Sequence, residues 1–262
     1  MRIITFLTDF GKKNSYVSQM KGVASSMTDA KLIDITHEIT PHNIKEGAFA
    51  LLVAIPYFPI GTVHVGVVDP DVGPDEKGII ITTRSQILVG PDNGLLIPAA
   101  RSLGDFIVYE IKNEKYMLDS VSNTFHGRDI FTPIAAHIIN GIPFEKIGPI
   151  TSDFVDLDFG KCEITNKTAT GKIIHVDQFG NIITNIDGIK LRKILNYDKK
   201  IMAFIANKKQ EMSFVRSYFS VKKGKVLSTI GSSNFLEIAI NQGNAAKKLG
   251  IKYDDEIKIL FN

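Results

Sequence analysis

The chain is expected to fold as an α/β N-terminal domain with a largely parallel sheet, followed by a smaller all-β, barrel-like C-terminal domain. Three observations predict this. Short apolar runs alternate with segments of helical spacing over the first part of the chain. From about residue 165 the helical segments nearly vanish, and short apolar runs are separated by polar turns. The length of 262 residues, 44% hydrophobic and 23% charged, is that of a chain able to build a large core and excludes a disordered one. The expected domains are 1–160 and 161–262, with the linker inside Thr151–Lys167, where long apolar runs are few.

Ile3–Leu7 reads as a buried strand. Tyr16, Met20, Val23 and Met27 recur at helical spacing and predict a helix over Ser15–Met27. Leu32–Ile35 is a short strand. Ile44–Ile55 is helical and is stopped by Pro56. Thr62–Val68, with Val63, Val65, Val67 and Val68, is a strong strand, and Ile79–Thr83 and Ile87–Val89 follow as strands. Gly94–Leu103 reads as a helix and Phe106–Ile111 as a strand. Asp129–Ile139 is a helix in which Pro133 is tolerable only in the first turn. Beyond it, Ile173–Val176, Ile182–Ile186, Ile201–Ala206, Val226–Ile230, Leu236–Asn241 and Ile257–Phe261 read as strands, and only Asn244–Leu249 as a helix. The lysines crowding the connections, such as Lys199, Lys200, Lys222 and Lys223, read as a solvated face.

Composition removes several function classes. A net charge of +3 is too small to argue for nucleic-acid binding. One cysteine, Cys162, allows neither a disulfide framework nor a Cys-based zinc site within one chain. The N-terminus meets charged Asp9 too early for a signal-peptide core, and the most apolar long stretch, Gly47–Val63, holds Pro56, Pro59 and Gly61. The expectation is a cytoplasmic protein with no membrane partner. No dinucleotide-binding glycine fingerprint, P-loop, H-E-x-x-H or G-x-S-x-G is present.

Ligands of open α/β sheets bind beyond the carboxyl ends of the strands, and polar residues stand at those ends here. Asp9 reads either as the N-cap of the next helix or as a carboxylate accepting two hydrogen bonds from a ribose diol. Asp69, before Pro70, also reads as a turn starter, and Asp92-Asn93-Gly94 as a tight turn. Thr124–Asp129 sets His126, Arg128 and Asp129 around Gly127 just before an apolar helix. There Asp129 reads as a helix cap, and His126 either as a structural histidine or as a group that handles protons or polarises water. His175–Asn181 ends a strand in a polar turn, a hairpin containing Gly180. His37, His42, His64 and His137 have no local partner pattern, and His137 reads as a core or interface histidine.

Taken in order, these segments resemble one family. They are Ile4–Gly11, Tyr16-Val17, Met20-Lys21-Gly22, Ile33–Ile39, Val67–Pro70, Gly90–Leu96, Thr124–Phe131, His175–Asn181, Thr184–Ile186 and Phe235–Ala239. The chain is similar there to the S-adenosyl-L-methionine hydroxide adenosyltransferases, relatives of the fluorinase and chlorinase enzymes. Each match is short; the ordered set spans nearly the whole chain. The resemblance implies an α/β domain followed by a β-barrel-like domain. It also implies a homotrimer holding substrate between the N-terminal domain of one subunit and the C-terminal domain of its neighbour. The implied reaction converts S-adenosyl-L-methionine and water into adenosine and L-methionine, with no further cofactor and no metal.

Residue by residue, the resemblance implies that Asp9 holds the ribose hydroxyls. Asp69 and His126 match two members of a water-activating Asp–Arg–His triad. Asp177 matches the aspartate that binds the methionine amino group, Phe179 and Asn181 meet the adenine, and Ser232 aligns with the serine at the methionine carboxylate. One departure stands out. After the triad aspartate the family usually runs Pro-Gly-Val-Gly, two variable positions, then Arg-Arg. Here the run is Pro70-Asp71-Val72-Gly73-Pro74-Asp75-Glu76-Lys77, so Glu76 stands at the triad arginine. Lys77 or Arg128 would be the substitute cation. His126, which the halogenases lack, favours the hydrolase reading over a halide-using relative. Glu76 supports the alternative of a protein that binds S-adenosyl-L-methionine or adenosine with slow turnover or none.

Overall fold

The first strand, β1 (Ile3–Thr8), is buried along its length and pairs in parallel with β2 (Lys31–Thr36) and β3 (Val63–Val67). These elements are those of a computed structural model describing residues 1–205 and 208–261. β3 pairs in parallel with β5 (Ile87–Pro91), while β4 (Gly78–Thr83) runs antiparallel to both β5 and β6 (Phe106–Glu110). The sheet order is β2-β1-β3-β5-β4-β6. Its parallel part brings the carboxyl ends of β1, β2, β3 and β5 to one edge.

Helices cover both faces. Met20 and Ala24 of α1 (Tyr16–Met27) share one core with Phe6, Val65, Val67 and Ile134 of α4 (Thr132–Ile139). On the other face, Gly47 of α2 (Ile44–Ala54) lies against Leu7 and Val68, and Leu51 against Gly66. Successive strand side chains point to opposite faces, which is why Phe6 and Leu7 serve different layers. α3 (Ile97–Ser102) and the short α5 (Phe144–Ile147) complete the N-terminal unit, Met1–Asp158.

Two helices differ from expectation. The segment expected as a helix over Gly94–Leu103 is helical only from Ile97. Gly94 has φ +90°, and the Asn93 side-chain oxygen accepts from Leu95 N at 3.2 Å, so a turn precedes the helix. The helix expected from Asp129 opens instead as a π-turn over Gly127–Phe131, and α4 begins at Thr132. That places Pro133 in the first α-turn, where its missing N–H is harmless.

The C-terminal unit, Phe159–Asn262, is a closed seven-stranded barrel. Its strands are β8 (Thr168–Val176), β9 (Ile182–Asp187), β10 (Lys199–Ile205), β11 (Lys208–Phe214), β12 (Val226–Ile230), β13 (Phe235–Ile240) and β14 (Glu256–Leu260). The order is β14-β10-β11-β12-β13-β9-β8, and β14 pairing with β8 closes it; the two-residue β7 (Glu163–Ile164) adds to β8. Ile201, Ala203 and Ile205 alternate inward from β10, as Ile257 and Ile259 do from β14. Ala206, part of the strand expected over Ile201–Ala206, lies outside the described residues. β11 was not expected, because Lys208–Phe214 offers only Met212 and Phe214 to the core. α6 (Gly188–Arg192), capped by Asp187, was likewise not expected, whereas α7 (Ala245–Leu249) follows its Asn244 cap. No helix among the described residues is long and apolar enough to cross a membrane.

Candidate active site

Asp9 follows β1 and Asp69 follows β3, at the edge where the parallel strands end. Asp9 is not a helix cap: its Oδ2 accepts from His42 N at 2.8 Å, and the residue before α1 is Ser15. The same edge carries His37, whose Nδ1 hydrogen-bonds Thr8 Oγ1 at 2.9 Å and whose Nε2 lies 3.0 Å from an Asp34 oxygen. Phe10, Tyr16 and Phe125 pack edge to face, with ring centroids 5.4–5.9 Å apart, beside Asp9.

His126 enters from the loop before the π-turn. Its ring is almost wholly buried, and Nδ1 lies 2.9 Å from Glu76 Oε2. The loop is held by Asp129, which is fully buried and is no helix cap. Asp129 accepts from Arg128 through both oxygens, at 2.6 and 3.0 Å, and from Ser122 N at 2.9 Å. π-turns are enriched at functional sites because one extra residue re-aims the side chains that precede it.

The two carboxyl oxygens of Asp69 are sealed from solvent and meet no donor among the described residues. Burial, and then the facing Glu76 carboxyl, push the Asp69 pKa up to about 8. Burial also raises Glu76 above the usual carboxylate range, and it holds His126 below the usual imidazole range. Two carboxyls this close share one proton near neutral pH. The result is a buried Asp69–Glu76–His126 cluster in which both carboxyls hold a proton more readily than free carboxyls do and the imidazole less readily than a free one. A cleft of about 790 Å³ bordered by Asp69, Glu76, Asp71 and Asp92 opens onto it, and His126 and Glu76 also border a second cleft of about 640 Å³.

Neither expected substitute cation joins this cluster. Lys77 borders the larger cleft, but its ammonium sits 2.9 Å from Asp153 at the surface. Arg128 is committed to Asp129, to Gln19 Oε1 at 2.8 Å and to the face of Phe125.

In the C-terminal unit Asp177, Phe179, Asn181 and Ser232 line one cleft of about 760 Å³. The hairpin reading of this segment holds as well. Asp177 Oδ1 accepts from Phe179 N and Asn181 N, and Oδ2 from Asn181 Nδ2, each at 2.9 Å. Gly180 sits in this turn with φ +80°, and a Cβ there would come within 2.3 Å of the Asn244 side chain. Phe179 stands out from the turn, 68% exposed. Two further residues of the cleft went unnoticed in the sequence. Tyr218 donates to Glu237 Oε1 at 2.6 Å, and Glu237 is buried with its pKa raised by that burial. A lone carboxylate inside the apolar strand Phe235–Ile240 was the available signal for Glu237.

Comparison with known proteins now decides the family. The N-terminal domain model of the SAM hydroxide adenosyltransferases matches residues 4–148, and the C-terminal domain model matches residues 171–258. The chain belongs to the SAM hydroxide adenosyltransferase family. Within that family's reach it is 42% identical to a Methanocaldococcus jannaschii protein named (R)-S-adenosyl-L-methionine hydrolase, over 99% of this chain and 96% of the other. It is 27% identical to an Actinoplanes fluorinase over 73% of this chain and 74% of that one. A crystal structure of an uncharacterized conserved protein from Thermotoga maritima superposes with a TM-score of 0.93 at 37% identity, covering 98% of this chain and 99% of that one. Glu76, the departure marked by the sequence resemblance, lies in the cluster with Asp69 and His126.

Proposed function

We propose that this chain hydrolyses S-adenosyl-L-methionine at the ribose C5′, giving adenosine and L-methionine. The observation that carries this is the buried Asp69–Glu76–His126 cluster at the carboxyl ends of parallel strands, in a chain matching the family along both domains. Water attacks C5′ in line with the sulfonium, the C5′–S bond breaks, and its electron pair stays on sulfur as a neutral thioether. No acid is needed for that leaving group and no further cofactor enters. The enzyme has to orient the water, accept its proton and exclude bulk solvent.

In this reading Asp9 accepts from the ribose hydroxyls. Asp177 and Ser232 take the amino and carboxylate ends of the methionine, and Phe179 and Asn181 take the adenine. Lys77 has no part in it, since its ammonium is committed to Asp153. The family resemblance supports a homotrimer as the working form, for which light scattering at micromolar concentration should return three times the 28.9 kDa chain mass.

The function is tested by incubating the protein with S-adenosyl-L-methionine in ¹⁸O-water and separating the products. Adenosine and methionine should appear in equal amounts, with ¹⁸O in the adenosine 5′-hydroxyl. Glu76 supports a second reading, a binder without turnover. It would be favoured by tight adenosine binding with no release of adenosine on long incubation, and by release gained in Glu76→Arg.

A further inference from the structure

Glu76 reverses the charge of the residue the family usually carries in this loop, and a damaged site is the simplest account of it. The geometry points to another: we propose that Glu76 is the positioning residue for His126, so that a carboxylate–imidazole pair takes over water activation from an arginine-assisted site. This rests on the hydrolase reading above.

Glu76 Oε2 lies 2.9 Å from His126 Nδ1, with the two side chains 12% and 6% exposed. A neutral imidazole carries one N–H, and a carboxylate accepts but cannot donate. The proton therefore sits on Nδ1, and Nε2 keeps its lone pair. Nε2 has no hydrogen-bond partner among the described residues. Burial keeps the ring below its ordinary pKa, so it is a free base near neutral pH.

The charged groups around the pair fit this assignment. Asp69, from the end of β3, faces both Glu76 and His126, and Asp71 faces Glu76 from the same loop. Asp129, on the π-turn, faces His126, but Arg128 neutralises it through two hydrogen bonds. Asp69 holds the proton shared with Glu76, pushed up to about 8, which leaves Glu76 as the anion beside the imidazole. Lys77 is paired with Asp153, so no ammonium competes for Glu76.

The step balances. The water oxygen bonds to C5′, the C5′–S pair of electrons goes to sulfur, and the water proton passes to His126 Nε2. The imidazolium so formed is stabilised by Glu76 until the proton leaves to solvent. A preorganised carboxylate is then an asset of the transition state, where a guanidinium beside the same ring would oppose the imidazolium.

The test compares wild type, Glu76→Gln, Glu76→Asp and His126→Ala by the pH dependence of adenosine release, and reads the His126 tautomer by ¹⁵N NMR in wild type and Glu76→Gln. Glu76→Gln is expected to lower kcat by about 10–100-fold, a part of the ~10²–10⁴-fold that general-base assistance supplies, with KM little changed. Its acid limb should move to lower pH, because losing the neighbouring anion makes His126 less basic. Glu76→Asp should recover part of kcat, and the wild-type ring should carry its proton on Nδ1. If wild type turns over while Glu76→Gln keeps both kcat and acid limb, the positioning role is overturned and the hydrolase reading stands. If wild type releases no adenosine, the hydrolase reading falls and the NMR decides the pairing alone: Nδ1–H supports it, Nε2–H overturns it.

Discussion

Replacing Asp69 with asparagine is expected to stabilise the N-terminal unit at alkaline pH and to be nearly neutral at acid pH. Both Asp69 oxygens are sealed from solvent without a donor, and burial followed by the facing Glu76 pushes the pKa from 3.8 to about 8. Between those two values the folded chain holds a proton that the unfolded chain releases. Stability therefore falls as pH rises through this window. One proton is worth about 1.4 kcal/mol per pH unit, or about 4 kcal/mol from about pH 5 to about pH 8. The carboxyl borders an open cleft, and halving for solvent screening leaves about 2 kcal/mol. The asparagine side chain cannot titrate, matches the acid in shape and offers an N–H to the Glu76 carboxylate. Urea unfolding of Asp69→Asn and wild type, at several pH values across that window, measures the difference. It should grow with pH and favour the variant by about 2 kcal/mol at the alkaline end. A difference that does not change with pH would mean that folded Asp69 is already ionised in acid, and the shared-proton argument would fail.

Three other outcomes follow from named contacts. Asp9→Ala should weaken adenosine binding by about tenfold or more, the cost of a buried diol left without its acceptor. Asp9→Asn, which keeps an acceptor for His42 N, separates that loss from collapse of the loop; equal calorimetric affinity in all three proteins would remove Asp9 from the site. Lys77→Met should leave adenosine release within about twofold of wild type, since the ammonium serves a surface pair whose loss costs little. A large fall in kcat would return Lys77 to the reaction. Gly180→Ala forces a Cβ into the Asn244 side chain at positive φ, so it should destabilise the barrel by about 1–3 kcal/mol and weaken adenosine binding. A variant with wild-type melting would show that the turn relaxes freely.

Much of the fold was legible because its strands carry their own signal. Ile3–Leu7 and Thr62–Val68 are buried along their length and Val226–Ile230 over its middle three residues, and each contains a strand. β11 escaped because its outward residues are Lys209, Glu211 and Ser213 and its inward-facing set begins with Lys208 and Gln210, so only its partners in the barrel make it a strand. The π-turn before α4 escaped for a related reason. Periodicity does not distinguish a π-turn from an α-turn, and the difference depends on which backbone N–H reaches the Gly127 carbonyl, which is that of Thr132, five residues on, with Thr132 Oγ1 adding a second bond at 2.7 Å.

The order of motifs along the chain, the two-part architecture and the presence of Glu76 where the family resemblance leads one to expect arginine were legible in the sequence. What Glu76 does there was decided only in three dimensions. His64, without a partner nearby in the chain, finds Thr5 across the sheet, and His37 adds Thr8 to its neighbour Asp34. In the same way Glu76 meets His126 from fifty residues away, and Asp69 faces Glu76 with both of its carboxyl oxygens buried. Charge is a property of a residue type. Whether that charge is kept, shared or neutralised depends on burial and on which groups face it, and both are set by how the chain is folded.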